Sequence, residues 1–191
     1  MGIFSSKIKV PKYKDGVIIH DYEPKNKISS SASSGEQKVA EVLRLKNIPF
    51  ISEFHHPNLK WLRYDFCFSY CSKCFLLEFD GFQHFNEHNV YTNNIQEFHA
   101  LQDRDRLKAQ LCKWLNIYHI RIDYTQLRYI EFHIRKALHK CDLLYLSTPS
   151  LYSYLKEPSR DTIKQPNRDT ISRYLVNMPA KCPSQPNCCI I

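Results

Sequence analysis

The run CFLLEFD (74–80) carries an apolar stretch straight into two carboxylates, Glu78 and Asp80, one residue apart. Alternation along a strand puts both on one face, with Phe79 opposite. A second acid, Asp65, interrupts the aromatic run WLRYDFCF (61–68). Paired as a hairpin, the two runs bring Asp65 beside Glu78. Carboxylates converging at the edge of a buried sheet repel one another and resist desolvation. A hard divalent cation relieves both costs, so the three together predict a metal site at Asp65, Glu78 and Asp80. Magnesium suits oxygen ligands of this kind, with manganese as its substitute. Its chemistry would be to activate water and neutralise charge on a phosphate. The plainer alternative is a set of strand-end acids paired with arginines such as Arg63 or Arg121.

Other chemical groups lie close in sequence. Gly81 allows a sharp turn after Asp80 that points Gln83 and His84 back toward the acids. His84 titrates near neutrality, which suits a general base or a phosphate contact. Farther on, Leu101, Asp105, Lys108, Cys112 and Leu115 fall at alternating spacings of four and three, one stripe along a helix. A stripe apolar at its ends and charged in its middle turns Asp105 and Lys108 toward the sheet. The other reading makes them a surface ion pair and gives the apolar face to Leu107, Leu111 and Trp114.

The elements that position these groups follow from periodicity. Ser33-Ser34-Gly35-Glu36 has the form of a capping box, and Val39, Val42 and Leu43 then share a helical face to about Asn47, ahead of Pro49. FISEF (50–54), WLRYDFCF and CFLLEFD read as strands, and 94–116 as a helix. YHIRIDY (118–124) is a short strand. A last helix over 125–139 turns Leu127, Ile130, Ile134, Ala137 and Leu138 inward. The order is α-β-β-β-α-β-α, an α/β chain with a mixed central sheet flanked by helices. Residues 1–32 read as an irregular basic arm. Residues 141–191, with their prolines and the short repeat RDTI (160–163 and 168–171), read as a flexible tail.

Lys and Arg number 27 against 19 Asp and Glu, a net charge of +8. That surplus favours a polyanion: nucleic acid, DNA or RNA, first and an anionic membrane second. The eight cysteines accompany no apolar leader, so free thiols in a reducing interior, cytoplasm or nucleus, are expected. Cys71 and Cys74 form one C-x-x-C without a second pair, which argues against structural zinc. The start MGIFSS fits an N-myristoylation form at Gly2, with lysines behind it, and Cys188 sits in a loose prenylation-like ending. A lipid-anchored peripheral protein, held to an anionic membrane by its N-terminal arm, is therefore one competing reading.

Taken in order, Gly35-Glu36, Asp65-Phe66, Glu78-Phe79-Asp80-Gly81-Phe82-Gln83-His84, Asp105-Arg106-Leu107-Lys108, Cys112 and Arg121-Ile122 carry a resemblance. An αβββαβ core with these motifs resembles the PD-(D/E)XK, or restriction-endonuclease-like, superfamily, in its small branch near the very-short-patch repair endonucleases. The resemblance covers about residues 33–124. It implies a magnesium-dependent DNA endonuclease, brings Glu36 from the first helix toward the metal site, and sets Asp105 and Arg121, with Gln83, at the substrate. The usual lysine two residues after the glutamate is Asp80 here, and Lys108 is the candidate to replace it from the helix. Absence of that lysine equally supports an inert nucleic-acid-binding module on the same fold.

Overall fold

The computed structural model describes residues 10–14, 17–22, 26–56, 59–87 and 95–156. Gly2, Cys188 and the RDTI repeats lie outside them. A mixed five-stranded sheet has the order β3-β4-β5-β6-β7, from β3 (Phe50–His56), β4 (Leu59–Tyr70), β5 (Lys73–Asp80), β6 (Tyr118–Asp123) and β7 (Leu144–Leu146). β3, β4 and β5 are antiparallel, and β6 and β7 continue parallel to β5. Helices α1 (Ser34–Leu45) and α3 (Ile130–Lys140) pack on one face and α2 (Ile95–Trp114) on the other. Among the described residues no helix is long and apolar enough to cross a membrane.

Each strand divides its side chains between two cores. Phe75 and Leu77 of β5, and Ile120 and Ile122 of β6, point to α1 and α3. Cys74 and Leu76 point to Leu107, Leu111 and Cys112 of α2. On that second face both strands change character toward their C-terminal ends. Glu78 and Asp80 follow Leu76, and His119, Arg121 and Asp123 line the neighbouring strand, all buried. β3 and β4 also swap faces partway. Phe50, Phe66 and Phe68 belong to the first core, whereas Phe54, Leu62 and Tyr64 belong to the second. The switch falls at Glu53, whose φ is +50°, opposite Asp65.

Ser33 caps α1, its hydroxyl accepting from the Glu36 N–H at 3.2 Å. A methyl group at Gly35 would overlap the Phe79 ring, so glycine lets the first turn of α1 lie directly on β5. Gly35→Ala is expected to destabilise the fold by about 1–3 kcal/mol through overpacking; a denaturant midpoint equal to wild type would show that Phe79 moves aside freely.

Three expectations need correction. The arm read as irregular contains a hairpin, β1 (Val10–Lys14) with β2 (Val17–Tyr22), consistent with the β-branched residues of VIIH. The stretch read as tail from 141 onward is structured as far as 156. β7 pairs with β6, and a 3-10 turn (Ser153–Lys156) follows Tyr152, with Tyr145, Tyr152 and Tyr154 buried. Leu127 is 37% exposed. The Asp123 carboxylate accepts from the Thr125 N–H at 3.0 Å and starts a 3-10 turn (Tyr124–Tyr129). That turn advances about 120° per residue and takes Leu127 out of phase with α3.

Candidate active site

The β4–β5 ladder ends at Phe66↔Leu77. One residue on, the Asp65 carboxylate takes the place of a backbone partner and accepts from the Phe79 N–H at 2.8 Å. Burial, then the Glu78 charge, with Glu36 adding to them, raise the Asp65 pKa to about 7. Asp65 therefore lies in the field of two further carboxylates, one on β5 and one on the first turn of α1.

Glu78 is fully enclosed. Lys108 of α2 donates to its Oε1, His119 Nε2 meets Oε2 at 2.9 Å, and Arg121 Nη1 stands 3.5 Å from Oε2. Burial alone would raise the Glu78 pKa, but Lys108, Arg121 and His119 outweigh it and hold the acid ionised. Burial likewise works against charge on Lys108, and Glu78 and Asp105 more than restore it. The Lys108 ammonium also sits 5.3 Å from the Tyr64 ring centroid. Asp105, Lys108 and Cys112 thus face the sheet as the stripe predicts. Leu107 and Leu111 are buried as well, so α2 is enclosed over a wide arc and the surface-pair reading fails.

Asp80 does not join Asp65 and Glu78. It forms a two-point ion pair with Arg121, Nε to Oδ2 at 2.9 Å and Nη2 to Oδ1 at 2.6 Å, and accepts from the Tyr152 hydroxyl at 2.8 Å. The plainer arginine-pair reading is the one realised for this acid. Arg121 also reaches Asp105 Oδ1 at 2.8 Å, while Asp105 Oδ2 meets His84 Nδ1 at 2.7 Å and the Tyr154 hydroxyl at 2.8 Å. Arg121 and Asp105, expected at the substrate, are 0% and 1% exposed and consumed by this network. They act behind the site.

Asp80, His84 and Asp105 do present ligand atoms within 4.8 Å of one another. A cation there would have to displace the Arg121 guanidinium, which engages both acids. That trio does not fit a metal. Asp65 fits better, because burial and then the neighbouring acids drive its carboxyl toward protonation, and a cation would offset both. Glu78 Oε1 carries one donor and has a second lone pair to offer.

His84 lies at the rim in a 3-10 turn (Phe82–His84). Burial would lower its pKa, yet Asp105 and Asp80 outweigh burial and raise it. Gly81 has φ −70°, open to any residue, so it makes no special turn; a methyl there would meet the Gln83 amide. Gln83 is half-buried beside it.

His119, Tyr152 and Tyr154 were not among the expected site residues. His119 shares its strand face with Arg121 and Asp123, and polar residues at alternate positions of YHIRID are a readable signal for it. The tyrosines come from the stretch taken for tail. Of the cysteines, Cys67, Cys74 and Cys112 are buried in the second core, and Cys71 sits in the β4–β5 turn. No protein-family model, curated protein or solved structure matches the chain.

Proposed function

We propose that the chain is a divalent-metal-dependent endonuclease hydrolysing phosphodiester bonds, with DNA as its substrate. The observation that carries the reading is the delivery of Lys108 from α2 onto Glu78, next to an Asp65 whose carboxyl is raised to about 7 by burial and by Glu78. Two acids and a cation at the splayed end of two strands match what hydrolysis of a phosphate requires. Asp65 and Glu78, with Glu36 in support, would hold the ion. When bound, it polarises the phosphate and lowers the pKa of a coordinated water. Lys108, kept charged by Glu78 and Asp105, offsets the negative charge that builds on the phosphate and its attacking oxygen. Against burial, Asp105 and Asp80 raise the His84 pKa, which favours the imidazolium as a phosphate contact or proton donor at the rim, with Nδ1 engaged by Asp105. The surplus of positive charge, +8, suits the polyanion.

Lys108→Met removes the charge at similar length. Cleavage is expected to fall by roughly 10²–10³, while the salt slope of DNA binding changes by about one unit or less. Single-turnover rates and binding isotherms on one oligonucleotide check both. Normal cleavage by this variant would remove Lys108 from the mechanism. A second reading, an inert binding module, draws on the engagement of both Glu78 oxygens by protein donors. It predicts binding that no metal converts into cleavage.

A further inference from the structure

The solvent side of α3 carries cations and aromatic rings together. Ile130, Ile134, Ala137 and Leu138 turn into the first core. Tyr129, Phe132, Arg135, Lys136 and Lys140 are exposed, and at about 100° per residue they share one arc of the helix. Arg128, exposed in the preceding 3-10 turn, extends the arc. The Tyr129 and Phe132 rings are 59% and 46% exposed, and the Lys136 ammonium sits 5.4 Å from the Phe132 centroid.

Two surface cations elsewhere are matched by acids, in Lys38–Glu41 at 2.8 Å and Arg63–Glu53 at 3.3 Å. On this arc the one acid, Glu131, is taken by Lys46 of α1 at 3.0 Å. Among the described residues, no ion pair ties Arg128, Arg135, Lys136 or Lys140 to an acid. The 3-10 turn that leads into the arc reaches the turn that carries His84. Tyr124, at the start of the 3-10 turn leading into α3, meets the Phe82 ring at 5.5 Å, and Phe82 lies between Asp80 and His84.

We propose that this face of α3 is a track for single-stranded nucleic acid flanking the cleaved bond. Its cations take phosphates, and Tyr129 and Phe132 stack on unpaired bases. The choice of polyanion rests on the nuclease reading; the choice of a single strand rests on the rings. A duplex keeps its bases stacked on one another and offers such rings nothing, whereas a single strand gains from each aromatic platform. A membrane helix would instead need a continuous apolar face outward, and that of α3 is spent in the core.

The test uses the full chain in EDTA, with fluorescence anisotropy of a labelled mixed-sequence DNA strand and of the same sequence as a duplex. Tyr129→Ala and Phe132→Ala are each expected to weaken single-strand binding about tenfold without altering its salt dependence. Arg135→Gln with Lys136→Gln should flatten the salt slope by about 1.4. Lys38→Gln, already paired with Glu41, should change neither. Circular dichroism melts confirm that each variant folds. Wild-type affinity in the ring variants overturns the track. So does an equal loss on duplex and strand that is confined to the cationic variants. Recruitment to phosphatidylserine vesicles through these residues, with no oligonucleotide bound, overturns it too. Cleavage assays with Mg²⁺ run alongside separate the two claims. Intact cleavage with unaffected binding removes the track alone. Ring-dependent binding without cleavage in any metal keeps the track and removes the nuclease reading.

Discussion

Ending the chain after Lys140 is expected to abolish cooperative folding. The cut removes β7, whose residues pair with His119, Ile120 and Arg121 of β6, and three buried tyrosines, Tyr145, Tyr152 and Tyr154. Loss of a large buried aromatic side chain typically costs about 3–5 kcal/mol. Three such losses rival or exceed the roughly 5–15 kcal/mol that holds a domain together. The damage is also electrostatic. Asp80 and Asp105 lose their tyrosine donors, and buried Arg106, paired with Asp103, loses the Tyr154 carbonyl that its Nε reaches at 2.8 Å. A chain ended after Lys156 keeps every described contact and is expected to keep its thermal transition. Calorimetry on the two chains decides the matter. A sharp transition in the shorter one would mean that the tyrosines cover the core without holding it.

Arg121→Met should be the most damaging single substitution in the site, by about 3–5 kcal/mol at neutral pH. The guanidinium is 0% exposed and bridges Asp80 and Asp105 with Glu78 close by. Methionine fills part of the space but leaves buried carboxylates without their chief counter-charge. The sign of the pH dependence follows from the acids. Burial works to raise the Asp105 pKa, yet Arg121 and then His84 hold it well below the usual range. In the wild type that depression stabilises the fold above the unfolded carboxylate pKa, near 4, and the contribution fades as pH falls below it. Without Arg121, burial dominates at Asp105 and the folded carboxyl shifts toward its protonated form. The deficit of the variant is then largest at pH 7 and shrinks toward pH 5. Urea midpoints at the two values measure it, and a deficit that grows on acidification would contradict the assignment of charge.

The parts legible in the sequence were those written as periodicity. The S-x-x-E cap of α1, the alternation that turns Glu78 toward α2, and the stripe that turns Lys108 toward the sheet all came through. What alternation cannot distinguish is the partner awaiting a side chain. Glu78 and Asp80 share a face, but Arg121 comes from a strand some 40 residues later, and only the parallel register Glu78↔Arg121 and Asp80↔Asp123 decides which acid it clamps. Tyr152 and Tyr154 had no periodic signal, because a single 3-10 turn among prolines and serines resembles a tail. The strand kink at Glu53 was equally silent, since a positive φ at glutamate leaves no mark in composition.

Plasmid nicking in Mg²⁺, Mn²⁺ and EDTA, by the wild type and by Asp65→Asn and Glu78→Gln, decides whether Asp65 and Glu78 serve a metal-dependent cleavage. Both substitutions keep side-chain size while removing a metal-holding charge. Nicking is expected from the wild type with either metal, none in EDTA, and none above that background from either variant, each checked for a native circular dichroism spectrum. Metal-dependent nicking retained by both variants would contradict that role.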